Sequence, residues 1–142
     1  MALTPDCRWT RLGAGEAQRL PAGNVTGVVR LTPPRNVADR GRFFDRVFFA
    51  DEAWRPARDS RDNPIRVADV LFGVELGERS LGPLELELVY AAHREVRSRA
   101  TTNLHLGALA AELRRVDARG WYLLIERGVG AYRLVITPQR PL

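Results

Sequence analysis

The sequence contains no lysine, a single cysteine and two histidines. Without lysine, the chain has no candidate for a Schiff-base amine or for the phosphate-binding lysine of a P-loop. Because Cys7 has no second cysteine to pair with, an internal disulfide and a cysteine-rich zinc site are both excluded. Neither His93 nor His105 has a second ligand at the usual metal spacing. We therefore predict that the protein uses no metal and no cofactor.

Long apolar runs are also missing from the chain. No run approaches the roughly 18 residues of a membrane-spanning helix, which predicts that the protein does not enter a membrane. Residues 1–12 lack the continuous apolar core of a secretory signal peptide, so we expect a cytoplasmic protein. With 142 residues, of which 45% are hydrophobic and 27% charged, the composition is that of an ordinary globular domain.

Patterns of catalytic residues are missing as well. No serine, histidine and carboxylate stand at the spacing of a known hydrolase motif, and no glycine-rich phosphate loop follows a predicted strand. We therefore predict that the protein is not an enzyme.

Positive charge is what the sequence has in excess. All 22 basic residues are arginine, against 17 acidic residues, which gives a net charge of +5. A basic protein of this kind favours polyanionic partners or acidic protein surfaces. The exclusive use of arginine has two explanations that stay open. One is a GC-rich codon bias, and the other is selection for bidentate guanidinium contacts.

The first half of the chain predicts a loose extension. Residues 1–23 show no sustained period, and the β-branched residues 24–32 predict a short strand. Phe43, Phe44, Val47 and Phe48, spaced i, i+1, i+4 and i+5, predict a helix over 39–53 capped by Asp39. Its aromatic face is expected to pack in the core instead of stacking on bases. Residues 55–64, with two prolines and mixed charge, are typical of an exposed linker.

The second half predicts strands and helices in alternation. A strand pair is expected over 65–78. A Gly-Pro pair at a helix start predicts a helix over 82–94, although residues 84–88, LELEL, also alternate like a strand. A leucine stripe of helical period predicts a second helix over 101–119. Two apolar segments around a charged glycine turn predict a β-hairpin over 120–136.

Three motifs stand in order in this half. The first opens the helix predicted over 82–94, with Leu81, Leu84, Glu85, Leu88 and Val89. The second opens the next predicted helix, with Leu104, His105, Leu106, Leu109 and Leu113. The third is RGVGAYRL, residues 127–134, in the hairpin. Together they resemble the winged-helix DNA-binding output domains of bacterial two-component response regulators.

This resemblance implies an α+β fold with two parts. Residues 65–142 would form a winged-helix-like domain of a strand pair, two or three helices and a C-terminal hairpin wing, and residues 1–64 an N-terminal α/β extension and linker. The resemblance also implies a nucleic-acid interface on the second helix, its flanks and the wing. The residues expected to touch nucleic acid are Arg94, Arg97, Arg99, Thr102, Asn103, His105, Arg115, Arg127 and Arg133.

The chain departs from that family at two places. Residues 95–100 are too few for the helix that the family places there. The exposed face of the second helix lacks the basic residues of the family and carries instead Ala108, Ala110, Ala111 and Glu112. Since alanine and glutamate make few favourable contacts in the major groove, base readout by this helix is weakened. Phosphate contacts from the flanking arginines and the wing remain.

Two functions follow as hypotheses. The first is a nucleic-acid-binding protein, on duplex DNA in the simplest case, that acts in transcription regulation or another DNA transaction. The second is a protein-interaction module of the transcription or replication machinery, or a homodimer. It would use the small residues Gly107, Ala108 and Ala111 for close packing. Binding to nucleic acid at low salt separates the two hypotheses.

Overall fold

Strands make up most of this protein. The computed structural model describes residues 7–13, 17, 27–35, 37, 39–91 and 101–140. In chain order the strands are β1 (Cys7–Arg11), β2 (Val28–Arg30), β3 (Arg55–Arg58), β4 (Pro64–Leu76), β5 (Arg79–Ala91), β6 (Thr101–His105), β7 (Tyr122–Gly128) and β8 (Ala131–Thr137). The helical elements are short: a 3₁₀ turn (Arg40–Arg42), a π-helical turn (Phe44–Phe48) and α1 (Leu109–Arg114). The predicted α+β winged-helix fold is therefore wrong, because the protein is mostly β.

All of these strands belong to one sheet with the order β1-β7-β8-β4-β5-β6-β2, and β3 pairs with β4 beside that path. Neighbouring strands are antiparallel except β4 and β8, which run parallel. The sheet curls until β1 and β2, at its two ends, come close to each other. The result is a nearly closed, barrel-like sheet.

The helix predicted over 82–94 is wrong, because this segment lies in strand β5. Residues 84–88 alternate leucine and glutamate, and the leucines face the interior, with Leu86 at 3% and Leu88 at 0% exposure. Gly82 is not a helix cap. It adopts φ +75° opposite a register shift in β4, where a β-bulge needs a residue that tolerates positive φ. Pro83 fits there because β6 pairs with β5 only farther along, so no second ladder needs its missing N–H.

The helix predicted over 101–119 is mostly wrong as well. Its first five residues form β6, which pairs with β5, and only Leu109–Arg114 are α-helical. The leucine stripe is buried as expected, with Leu106, Leu109 and Leu113 all at 0% exposure. The helical period therefore identified buried residues correctly, although Leu106 lies just after β6 and only Leu109 and Leu113 lie in α1.

The C-terminal hairpin is confirmed, but it is not a wing. Strands β7 and β8 meet at a tight turn, where Gly130 takes φ +70°. A wing extends from its domain as a free flap. Here β7 also pairs with β1, and β8 also pairs with β4, so the hairpin lies inside the sheet.

Three predictions for the segments before the hairpin also need correction. The loose segment 1–23 contains β1, and the linker 55–64 contains β3. The strand pair expected over 65–78 is the single strand β4, which continues through Gly73. These segments were difficult to predict because β1 and β3 are short and polar, and their pairing with distant strands supplies the missing stabilisation.

An aromatic segment, residues 43–49, packs against the inner face of the sheet. Phe49 is fully buried, with its ring centre 4.9 Å from that of Tyr132 and 6.1 Å from that of Phe72. The core role predicted for the phenylalanines is confirmed, and so is the Asp39 cap, whose carboxylate accepts from the Arg42 amide. The predicted helix is shorter than expected and ends at Phe48.

Candidate nucleic-acid interface

The first predicted arginine of the hairpin, Arg127, is held by the protein. Its Nη1 donates hydrogen bonds to the carbonyl of Val47 at 2.9 Å and to the carbonyl of Phe48 at 3.3 Å. Its guanidinium carbon also lies 5.5 Å from the centre of the Phe48 ring. The side chain therefore fixes the aromatic segment to β7, and a phosphate would have to displace these contacts.

The second, Arg133, lies on the outer face of β8 between two carboxylates. Its Nε donates to Glu75 at 2.6 Å, and its Nη1 donates to Glu126 at 3.4 Å. One positive and two negative side chains thus form a single group. Because the group has an excess of negative charge, it repels a phosphate more than it attracts one.

The predicted arginine beyond α1, Arg115, is also close to an acid. Its Nη1 lies 3.9 Å from Glu112, which in addition accepts a hydrogen bond from Arg79 at 3.2 Å. Nearby, Arg119 donates to Asp117 at 2.8 Å and 2.6 Å. These exposed pairs reduce the positive potential at this end of the protein.

The three polar residues predicted from β6 lie on opposite faces of that strand. Thr102 is on the inner face and 3% exposed, and its hydroxyl has no hydrogen-bond partner among the described residues. Asn103 and His105 lie on the outer face, where His105 Nδ1 is 3.9 Å from Glu87. The structure therefore does not bring the three together into one interface. The remaining predicted residues lie outside the described residues: Arg94, Arg97 and Arg99.

The barrel is closed by side-chain hydrogen bonds instead of a backbone ladder. Arg8 Nε and Nη2 both donate to the carbonyl of Thr32 at 3.2 Å. The Thr10 hydroxyl donates to the carbonyl of Arg30 at 3.4 Å and lies 3.2 Å from the Thr32 hydroxyl. We call this boundary, between residues 8–11 and residues 30–32 together with the nearby Arg35 and Arg40, the seam.

Five arginines on the seam have no carboxylate partner among the described residues: Arg8, Arg11, Arg30, Arg35 and Arg40. Arg40 donates to the carbonyl of Pro34 at 3.0 Å, close in the chain to the Thr32 carbonyl that binds Arg8. Burial lowers the pKa of Arg8, and the charge of Arg40 lowers it further. The guanidinium still keeps its proton at neutral pH, so the two like charges stand together on the seam.

Two further arginines, Arg42 and Arg66, form ion pairs with a buried acid. The Asp45 side chain is fully buried, and it accepts from Arg42 at 2.7 Å and from Arg66 at 2.6 Å. The Arg42 guanidinium also lies 4.7 Å from the centre of the buried Tyr90 ring. Since a buried carboxylate needs this compensation, the cluster has a structural role.

A shallow crevice opens on the inner side of the seam. Its walls include Arg8, Thr10, Leu31 and Phe44, and the space between them is too narrow to hold a water molecule. Small-molecule sites usually measure roughly 300–1,000 Å³. The crevice is therefore too small for a cofactor, and the outer surface of the seam is the better place for a ligand.

The described residues form no metal-binding cluster and no membrane-spanning helix. Among the described residues, no three histidine, cysteine, aspartate or glutamate side chains are placed to hold a metal ion. None of the helices within the described ranges is long and apolar enough to cross a membrane.

Comparisons with known proteins give no family. The chain matches no protein-family model, no curated protein and no solved structure. Inference about function therefore depends on the geometry of this chain.

Sequence reasoning missed the seam, although a signal for it exists. Residues 7–38 contain five arginines and only one acidic residue, Glu16. A stretch with so few acids cannot pair its arginines locally, so those arginines stay available unless the fold brings acids from elsewhere. The motif resemblance instead placed the predicted interface between Arg94 and Arg133.

Proposed function

We propose that this protein is a cytoplasmic nucleic-acid-binding β-barrel that holds the phosphate backbone on the seam. The observation that carries the proposal is the group of seam arginines without carboxylate partners. A guanidinium presents a planar fork of donors that matches phosphate oxygens. The arginines of the hairpin and of the α1 region, which already have partners, are left out of this interface.

Counterion release would supply the affinity. Each phosphate that an arginine neutralises releases condensed cations, so the logarithm of the binding constant falls linearly with the logarithm of salt concentration. The slope is about 0.7 to 0.9 per contact, so contacts from Arg11, Arg30 and Arg35, the seam arginines whose side chains have no partner among the described residues, would give a total slope of about 2 to 3. The slope from a salt titration therefore measures how many phosphate contacts the protein makes.

The test compares two triple variants with the same change in net charge. The seam variant carries Arg11→Gln, Arg30→Gln and Arg35→Gln, three exposed arginines whose side chains have no partner among the described residues. The control carries Arg115→Gln, Arg119→Gln and Arg133→Gln, three arginines that form ion pairs. Fluorescence anisotropy of labelled DNA measures binding between about 50 and 200 mM salt.

We expect the seam variant to lose about 2 to 3 units of salt slope and the control less than about 1. Equal losses in both variants would mean that net charge alone drives binding, and the seam would then have no special role. Absence of binding by the native protein at about 50 mM salt would refute the proposal.

The alternative, a protein-interaction module, has one supporting observation. Gly107, Ala108 and Ala111 are exposed at the start of the α1 region, as close packing against a partner would require. A sizing measurement tests it. A homodimer that Ala111→Arg dissociates would favour this alternative over the seam.

A further inference from the structure

The outer face of β1 carries an aromatic side chain next to an arginine. Trp9 and Arg11 alternate onto this face, and across the ladder they align with Leu124 and Tyr122 of β7. The rings of Trp9 and Tyr122 meet edge to face, with centres 5.5 Å apart and planes at 72°. Both side chains are partly exposed.

This pair differs from the other aromatic side chains of the described residues. The phenylalanines are buried, and Trp54, Trp121 and Tyr132 are partly buried against the core. Tyr90 is fully buried beneath Arg42. The pair of Trp9 and Tyr122 instead lies outside the core cluster, on the solvent side of the sheet.

The aromatic pair adjoins the seam through Arg11. Arg11 is exposed and shares the outer face of β1 with Trp9, whereas Arg8 and Thr10 lie on the inner face and join β1 to residues 30–32. A strand whose phosphate binds Arg11 therefore passes next to the Trp9 ring. The surface combines a guanidinium group for a phosphate with a ring for a base.

This arrangement distinguishes between forms of nucleic acid. In a duplex the base faces are stacked on one another, and a side chain on the outer face of the sheet cannot reach them. In a single strand the bases are free to stack on an aromatic ring, whatever their identity. Building on the proposed function, we propose that the protein binds single-stranded nucleic acid, with phosphates on the seam arginines and a base on the pair of Trp9 and Tyr122.

The test uses the full chain, labelled oligo(dT) and a duplex of the same length, with two variants at one position. Trp9→Leu keeps an apolar side chain but removes the ring, whereas Trp9→Phe keeps a ring. We expect Trp9→Leu to weaken oligo(dT) binding about tenfold and duplex binding less than about twofold. Trp9→Phe should stay within about threefold of the native protein on both.

Tryptophan emission gives a readout that does not depend on the folding of Trp9→Leu. Oligo(dT) should quench emission of the native protein, and Trp9→Phe should lose that quenching while it still binds. An equal fall of oligo(dT) and duplex binding in Trp9→Leu, or quenching that persists in Trp9→Phe, would overturn the single-strand inference. The salt slopes of the seam variant would still decide the proposed function by themselves, so the two failures are distinguishable.

Discussion

The hairpin of β7 and β8 and the seam between β1 and β2 both carry arginines, but among the described residues only the hairpin gives one of them carboxylate partners. Arg127 is bound to two carbonyls and an aromatic ring, and Arg133 to two carboxylates. On the seam, Arg30 and Arg35 are exposed and lack any carboxylate partner among the described residues. An arginine in a suggestive motif is therefore no evidence of a binding site until its partners are known.

The difference arises from where the acids fall. Glu75 in β4 and Glu126 in β7 come from strands on either side of β8, so the sheet itself delivers the counter-ions of Arg133. The seam is bordered by β1 and β2, whose described residues include no acid. Uncompensated charge therefore collects at the seam.

The largest effect should come from the buried acid, where the partner is most needed. Asp45→Asn leaves Arg42 and Arg66 without their counter-ion, and we expect a loss of about 3 kcal/mol in the free energy of unfolding. The value is at the low end for a buried pair because the Arg66 side chain is 38% exposed. Urea unfolding measures it.

The control for that experiment is Asp69→Asn. Asp69 pairs with Arg55 at 3.1 Å, but their side chains are 43% and 51% exposed. We expect a change within about 1 kcal/mol. Equal losses of unfolding free energy in Asp45→Asn and Asp69→Asn would show that the buried ion pairs contribute no more stability than the exposed one.

A smaller effect, of opposite sign, should come from Thr102. An exposed arginine without a partner is hydrated, but the buried Thr102 hydroxyl has no hydrogen-bond partner among the described residues. Thr102→Val keeps the shape and β-branching of the side chain, so we expect a gain of about 1 kcal/mol in stability. If urea unfolding shows a loss instead, the hydroxyl is hydrogen-bonded after all.

A still smaller change in stability should distinguish the surface arginines that form ion pairs from those that lack a carboxylate partner. Arg133→Gln leaves Glu75 and Glu126 close to each other, and we expect it to cost about 0.5 to 1 kcal/mol at low salt. Arg30→Gln removes no described ion pair, so its cost should stay within about 0.5 kcal/mol. Thermal or urea unfolding at low and high salt tests both, and the Arg133→Gln cost should shrink as salt rises.

The last prediction concerns Cys7, where β1 of the seam meets β7 of the hairpin. Burial raises the pKa of the Cys7 thiol above its ordinary value of 9.0, and the charge of Glu126 raises it further against the opposing effect of Arg8. The folded protein therefore holds this proton more tightly than the unfolded chain. The resulting stability is complete below pH 9.0 and is lost as the pH rises through the folded pKa.

Cys7→Ala should accordingly reduce the fall in stability on the alkaline side, measured by urea unfolding from pH 8 to pH 10.5. Glu126→Gln should lower the pKa of Cys7 and speed its reaction with a disulfide reagent at pH 9. If the thiol reacted at the same rate in Glu126→Gln as in the native protein, the charge of Glu126 would not act on the Cys7 thiol.

The sequence predicted the elements that are stabilised by neighbours in the chain. The hairpin was predictable because its two apolar strands and glycine turn are contiguous. The core role of the aromatic segment followed from its hydrophobicity alone. The β5 strand was not predicted, because the Gly-Pro pair of its bulge imitates a helix start and only pairing with β4 along its whole length decides the conformation.

The candidate site could not be assembled from the sequence for the same reason. Thr10 and Arg30 stand far apart in the chain, and they come together only because the sheet curls until its end strands meet. The neutralisation of Arg133 likewise depends on Glu75 from another strand.

By itself, the sequence determined which residues are apolar enough to be buried, where the last hairpin turns, and that the chain carries an excess of arginine. Tertiary structure alone decided which arginines remain available for a ligand. Charge composition is a property of residues, but compensation depends on distance in space, and strands far apart in the chain set those distances when they pair.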